Sequence, residues 1–427
     1  MKVLMFGWEF PPHISGGLGT ACYGLTNGMS SLKNVKIIFV VPKAFGDEDQ
    51  TKIRLVGANE INLGQRTSHY MKTLDKIRFL EVNSSLVPYT DPEEYMNLVD
   101  EEKEGKKQYI HTHFSGKLEF TGGYGESLFQ EIANYAVVAS EIAAQYDFDV
   151  IHSHDWLTYP AGMAAKQVSG KPLIVHVHAT DFDRSGGNVN PGVYEMERAG
   201  MHAADRIIAV SNLTRNTIIN NYGVPPEKVV TVYNAVDPVV QKENISVPKG
   251  YSEKVVTFLG RITMQKGPEY FIEVARKVLQ RMDNVRFVMA GSGDMMVRMI
   301  WHAASLRIMD KFHFTGFLRG DDVYRMFSLT DVYVMPSVSE PFGISPLEAM
   351  QSNVPVIISH QSGVSEILKH AIKVNFWDID AMADAIYGIL NYGALSEVFK
   401  KYGREEVDNL KWENSARQVR EVYLSVM

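Results

Sequence analysis

Cys22 is the only cysteine in the chain. An intrachain disulfide is therefore excluded, and so is a cysteine-rich metal site. Long apolar runs are missing as well: nothing approaches the roughly 18 consecutive apolar residues of a membrane-spanning helix. Positive charge is not in surplus, since 43 Lys and Arg face 50 Asp and Glu for a net charge of −7. That argues against nucleic acid or an anionic membrane as the main partner, while a local basic pocket stays open. The spacing G-x-G-x-x-G is absent, which counts against a dinucleotide-dependent dehydrogenase. The first apolar run ends at Gly7 and meets Pro11-Pro12, so it reads as a strand and not as a signal peptide. A cytoplasmic protein is expected.

What is present is an alternation of strands and helices in two series. At 427 residues, 45% apolar and 22% charged, the composition is that of a globular enzyme too long for one core. In the first series Val3–Phe6, Val35–Val41, Asp149–His154, Leu173–His178, Arg206–Val210 and Val229–Val232 read as strands, and Ser211 as a helix N-cap. In the second, Val255–Leu259, Val285–Ala290, Phe312–Thr315, Val332–Met335, Val354–Ser359 and Ala371–Asn375 do so. Such alternation implies parallel sheets covered on both faces, with ligands beyond the C-terminal strand ends. The fold class is α/β, with two doubly wound domains. The first is residues 1–238 plus a C-terminal helix at 413–427; the second is 239–412. No residue-level repeat relates them.

Between the series, residues 238–253 read as a linker. Residues 45–125 are the segment least marked by periodicity and read as an insertion. Within it, His111 and His113 could share a strand face and ligate a metal, or be two ordinary polar residues. No metal and no cofactor is expected.

Four stretches carry chemistry. After the first strand comes His13-Ile14-Ser15-Gly16-Gly17-Leu18-Gly19, where glycines at a helix start either let backbone N–H groups approach phosphate or simply make a tight turn. After Leu259 comes Gly260-Arg261, with Lys266-Gly267 five residues on, two cations in one loop or a solvated pair. Pro268 then opens a helix at its favoured position. After Met335 comes Glu340-Pro341-Phe342-Gly343-Ile344 and then Glu348, a loop running into a helix N-terminus where an anion is favoured. His154, His178 and Asp181 stand at strand ends of the first series. Each could face a ligand, and a histidine closing a buried strand could equally be a core residue. Asp181-Phe182-Asp183 imitates a metal-binding D-x-D but reads as a turn.

Gly16-Gly17-Leu18, His154-Asp155-Trp156, the strand ending at His178, Gly260-Arg261 with Lys266-Gly267, and Glu340 to Glu348 together resemble the retaining GT-B glycosyltransferases. They are most similar to the family 4 type group of bacterial glycogen synthases and sucrose-type synthases. The resemblance implies a fold of two Rossmann-like domains facing a central cleft, with closure on substrate. It implies a catalytic set of His178, Glu340, Arg261 and Lys266. The donor would be bound by Gly16, Gly17, Arg261, Lys266, Gly343, Ile344 and Glu348. In that scheme Arg261 and Lys266 hold the leaving diphosphate, Glu348 the ribose and Glu340 the hexose. Asp181 and His154 would lie on the acceptor side. It also implies front-face attack, with the departing phosphate taking the acceptor's proton.

Bacterial glycogen synthases carry a lysine shortly before the glycines, where this chain has His13-Ile14-Ser15. The donor nucleotide is therefore open among UDP, ADP and GDP, with UDP-glucose preferred to ADP-glucose. An aromatic, glycine-rich piece at 109–124 suits stacking on sugar rings, and no basic amphipathic surface signals a membrane. The expected acceptor is thus an α-glucan. A transferase making a disaccharide, a sugar phosphate or a cell-surface oligosaccharide is the alternative, and a two-lobed sugar-binding protein the non-catalytic one.

Overall fold

The computed structural model describes residues 1–13, 16–63, 116–125, 127–237, 249–250 and 252–427. His111 and His113, and most of the linker expected at 238–253, lie outside the described residues. The chain divides into two units. One comprises Met1–Asp181, Val189–Asn234 and Trp412–Met427; the other comprises Phe182–Asn188 and Ala235–Lys411.

The first unit holds a parallel sheet of β1 (Lys2–Phe6), β2 (Lys36–Val41), β3 (Arg54–Gly57), β4 (Val150–His154), β5 (Leu173–Val177), β6 (Arg206–Ala209) and β7 (Val229–Thr231), in the order β3-β2-β1-β4-β5-β6-β7. The order reverses between β1 and β4, the position where open α/β sheets bind ligands. β1, β4 and β5 are central and almost wholly buried. That burial explains their continuous apolar character apart from the histidines. Strand β3 was not read from the sequence. It is a four-residue edge strand with one exposed end, too short to show a period.

Ser211 caps the helix Asn212–Tyr222 by accepting the Thr214 N–H at 3.0 Å. The last helix, Trp412–Leu424, packs on Gly17–Ser30. Trp412 fills a notch at Gly24, where an added Cβ would lie 2.2 Å from the indole. Only a glycine permits that approach.

The second unit has a parallel sheet of β8 (Lys254–Leu259), β9 (Val285–Ala290), β10 (Phe312–Gly316), β11 (Val332–Met335), β12 (Val356–Ser359) and β13 (Ile372–Val374), ordered β10-β9-β8-β11-β12-β13. Its reversal lies between β8 and β11, the two strands that feed the Gly260–Gly267 loop and the Glu340–Glu348 stretch. Phe258, Phe271, Phe287, Met299 and Phe312 belong to its core, with Ile386 and Ile389 of the helix Ile379–Asn391. No helix among the described residues is long and apolar enough to cross a membrane.

Candidate functional site

In the second unit two loops are locked together before any side chain reaches out. Gly267 has φ +67°, and a Cβ there would meet the Pro336 carbonyl oxygen at 2.1 Å. The Gln265 carbonyl accepts the Val338 N–H at 2.9 Å. The loop after β8 is thus held against the end of β11, and Lys266 comes beside Glu340. Lys266 Nζ donates to Glu340 Oε2, and Ser337 Oγ donates to the same oxygen at 3.4 Å. Glu340 is 7% exposed. Its backbone is fixed as well, since the Glu340 N–H donates to the Gln361 carbonyl and its carbonyl accepts the Gly363 N–H. The resemblance gave Lys266 and Glu340 separate ligands; the structure pairs them.

Glu348 lies one turn into the helix Ser345–Gln351. Solvent still reaches part of its side chain, yet the surrounding protein strips enough water from the carboxyl to push its pKa up to about 7. Among the described residues no donor meets this carboxylate. The N–H groups of Gly343 and Ile344, just ahead of the helix, likewise meet no acceptor among them. Tyr324 stands within the field of Glu348. Burial first, then the charges of Glu348, Asp237 and Asp321, raise its phenol to about 12. Arg261 leaves the end of β8 and acts electrostatically on Asp294, whose carboxyl is raised chiefly by burial. All four charged residues expected to grip a donor, Arg261, Lys266, Glu340 and Glu348, therefore lie on loops and a helix start at the reversal point of one sheet.

Replacing Glu348 by Gln separates two effects. At pH 8 the variant melts higher than the parent, because an unpaired, desolvated charge has gone. Its affinity for a nucleoside diphosphate falls about tenfold or more, since an ionised acceptor for hydroxyl groups has been lost. Calorimetric titration and thermal melts read the two signs independently.

In the first unit, Gly16 is the N-cap of Gly17–Ser30, and a Cβ on Gly17 would meet nothing within 4 Å among the described residues. Ile14 and Ser15 lie outside them. His178 follows β5. It is partly accessible, but Nδ1 is buried with no partner among the described residues, and Nε2 lies 3.0 Å from His154 Nδ1. Burial lowers its pKa to about 3, so it is a neutral imidazole at pH 7. His154, expected on the acceptor side, is 0% exposed. That expectation is corrected, because a fully buried ring cannot touch a substrate and this one backs His178 instead. Asp181 is also withdrawn, at 6% exposed. Its Oδ2 accepts the Asn190 N–H at 2.6 Å, and its own N–H donates to Glu197. This organises the chain after β5 and gives no support to acceptor contact. The turn expected at Asp181–Asp183 is a short helix, Asp181–Ser185.

Asp155 was quoted only as part of a motif, and the sequence carries no sign of what it does. It takes the left-handed conformation, φ +59°. Its Oδ1 accepts the N–H of His178 at 2.6 Å and of Ala179 at 3.3 Å, which sets the backbone that carries His178.

His152, His154 and His176 each place a nitrogen within 4.8 Å of the others. Their rings stack only 11–29° from parallel. Imidazole lone pairs lie in the ring plane, so these do not converge on one point. The cluster is a polar core, not a metal cage.

Residues 240–406 match the family Glycosyl transferases group 1, and residues 120–240 match Glycosyltransferase Family 4. An uncharacterized glycosyltransferase, MJ1607, of Methanocaldococcus jannaschii is 28% identical over 445 residues, spanning 100% of this chain and 99% of the relative. A glycogen synthase of Mycobacterium tuberculosis is 21% identical over 100% of this chain and 95% of its own. Among solved structures, a sucrose-phosphate synthase of Thermosynechococcus elongatus superposes with a TM-score of 0.71 at 18% identity, over 99% and 98% of the two chains. HepE of Anabaena, in complex with UDP-glucose, superposes with 0.64 at 16%, over 100% of each. At such identities the structural likeness establishes the fold alone. Together with the two family matches, it shows that the chain carries glycosyltransferase domains of the group 1 and family 4 types on a GT-B fold.

Proposed function

We propose that the chain is a retaining hexosyltransferase that moves glucose from a nucleoside-diphosphate sugar, UDP-glucose foremost, to an α-glucan, as a glycogen synthase does. The observation that carries the donor class is Glu348, a carboxylate that meets no donor among the described residues, in one stretch with two backbone N–H groups that meet no acceptor among them and with the Lys266–Glu340 pair. Carboxylates suited to hydroxyls, flanking donors suited to phosphate, fit a sugar nucleotide. The relatives agree in kind: HepE is seen with UDP-glucose, and a glycogen synthase aligns over the whole chain.

In this reading Glu348 accepts from the ribose and Glu340 from the hexose. Lys266 has three N–H donors, so it can keep Glu340 and still meet a phosphate oxygen. Arg261 and the N–H groups of Gly343 and Ile344 share the negative charge that grows on the diphosphate as it leaves. The bond from C1 to the acceptor oxygen forms on the face from which the phosphate departs, and the acceptor's proton passes to the leaving phosphate oxygen. His178 is neutral at pH 7, but with Nδ1 buried and Nε2 against His154 it is no candidate for the base.

A panel of UDP-, ADP- and GDP-glucose, offered with glycogen and with free glucose and glucose phosphate, tests donor and acceptor at once. UDP-glucose with glycogen is expected to give the fastest incorporation. UDP at 100 times its Kd should also stabilise the fold by about 2.7 kcal/mol. No incorporation from any donor, with no nucleotide-dependent rise in melting temperature, would sink the reading. Transfer to a small sugar alone would remove the glucan.

A further inference from the structure

We infer that Asp183 is a positioning residue of the donor site: through the hydroxyl of Ser339 it holds the stretch that carries Glu340, and so sets how that carboxylate meets the transferred sugar. The inference rests on the reading of Glu340 as the acceptor for hexose hydroxyls, and it adds a residue which that reading does not include.

Asp181-Phe182-Asp183 imitates a metal-binding D-x-D in sequence, and the structure gives its two acids different work. The chain leaves the first unit between Asp181 and Phe182 and returns to it between Asn188 and Val189. Asp181, before that crossing, accepts the Asn190 N–H at 2.6 Å within the first unit. Asp183, after it, accepts the Ser339 hydroxyl at 2.6 Å within the second. Each acid fastens one side of the crossing.

Residues 182–188 form a strap on the second unit. Gly186 and Gly187 turn it back, both left-handed at φ +63° and +96°. A Cβ on Gly186 would lie 2.4 Å from Met264 Cε, so the strap is seated against the first residue of the turn Met264–Lys266. Asp183 meanwhile holds Ser339. The strap thus reaches both loops of the Lys266–Glu340 pair.

The bond to Ser339 is strong for its kind. A hydroxyl donating to a carboxylate at about 2.5–2.7 Å is charge-assisted, and roughly twice as strong as a bond between neutral groups. Asp183 is 4% exposed, so water does not compete for it. The place of the bond gives it its effect. Beyond Glu340 the chain is pinned by Gln361 and Gly363. Before Glu340, Val338 and Ser339 lie in a bend without regular structure. Their N–H groups share the Gln265 carbonyl, at 2.9 and 3.4 Å. The second of these is long, and the side chain of Ser339 supplies the firmer hold. Without it the stretch from Ser337 to Ser339 gains freedom, and with it the carboxylate of Glu340, which Ser337 Oγ meets only at 3.4 Å.

The test uses the full chain. Ser339→Ala removes the hydroxyl, Ser339→Thr keeps it, and Asp183→Ala removes the acceptor. Each variant is measured for kcat of transfer at saturating UDP-glucose, and by calorimetry for the Kd of UDP and of UDP-glucose. Ser339→Ala should lower kcat about tenfold, on the scale of a slightly misplaced contact. It should leave the Kd of UDP unchanged and weaken UDP-glucose relative to UDP. Ser339→Thr should recover most of the loss. Adding Ser339→Ala to Asp183→Ala should cost nothing more, because both act through one bond. A merely structural role would instead lower the melting temperature and weaken both ligands in step, and that pattern overturns the inference. So do losses that multiply in the double variant. Glu340→Gln calibrates the comparison. If it leaves the preference between UDP-glucose and UDP where it was, the hexose role of Glu340 falls and the inference falls with it. If it shifts that preference and Ser339→Ala does not, Asp183 loses its positioning role while Glu340 keeps its own. Should Asp183→Ala not fold, the comparison of Ser339→Ala with Ser339→Thr decides alone.

Discussion

Lys266→Ala is expected to lower kcat for sugar transfer about 100- to 1,000-fold, the usual loss when one preorganised donor to a developing negative charge is removed. The fold should survive. Lys266 lies in a loop whose path is set by Gly267 against Pro336 and by the Gln265 carbonyl, not by the ammonium. The cost to stability is the carboxylate left behind: Glu340, 7% exposed, would keep only the Ser337 hydroxyl, a loss of about 1–3 kcal/mol. Glu340→Gln gives the complementary result. Lys266 then has no ion partner in the pair, so UDP should bind at least as tightly, while transfer from UDP-glucose falls because the hexose has lost its acceptor. Initial rates at saturating donor, with calorimetric UDP binding, separate the cases. A Lys266→Ala enzyme within twofold of the parent kcat would remove Lys266 from the chemistry.

Acidification should unfold the first unit before the second. His152 and His178 have folded-state pKa values lowered to about 3 by burial, and those of His154 and His176 are lowered too. The unfolded chain binds protons near the ordinary histidine value of 6.5 and the folded chain does not. Stability from these rings is therefore complete above about pH 6.5 and drains away as pH falls toward the folded value. By pH 4.5 each of the first two has cost about 2–3 kcal/mol, which is large beside a typical total of about 5–15 kcal/mol. Glu348 works the other way. Its folded pKa is raised to about 7, so the second unit carries a burden above pH 7 that protonation relieves between pH 7 and the ordinary carboxylate range. Discounting for the solvent that still reaches it, the relief is about 2 kcal/mol. Scanning calorimetry from pH 7.5 to 4.5 should resolve an early transition moving steeply down and a second one that holds. A single transition unmoved over that range would refute the account of the histidine cluster.

Much of this was legible before any coordinates. β1, β4, β5, β8 and β11 are central strands, so they read as mainly apolar runs that end at Gly, Pro or His. The loop from Gly260 to Gly267 and the stretch from Glu340 to Glu348 belong to adjacent strands, and their residue types mark them as candidates to hold an anion, while the sugar-nucleotide reading came from the family resemblance. What was not legible is what distance in sequence conceals. Lys266 and Glu340 are 74 residues apart, and His152 and Tyr423 are 271 apart; neither pairing leaves a local pattern. The burial of His154 was missed because a histidine ending a strand reads alike whether it faces solvent or a neighbouring ring. Asp155 was missed because its work depends on a left-handed backbone that an aspartate tolerates without advertising it. The helix Gly393–Val407 was left unassigned, and it leaves Leu395, Val398 and Tyr402 exposed, so apolar spacing there does not mark the buried face.

The seat of Trp412 at Gly24 has a consequence for synthesis. The first unit needs residues 412–427, which leave the ribosome only after the whole of 235–411 has emerged. Domains ordinarily fold in the order they are made. Here the second unit can finish first, while the sheet of the first waits with the groove of Gly17–Ser30 uncovered and apolar. That interval is when this chain most needs a chaperone.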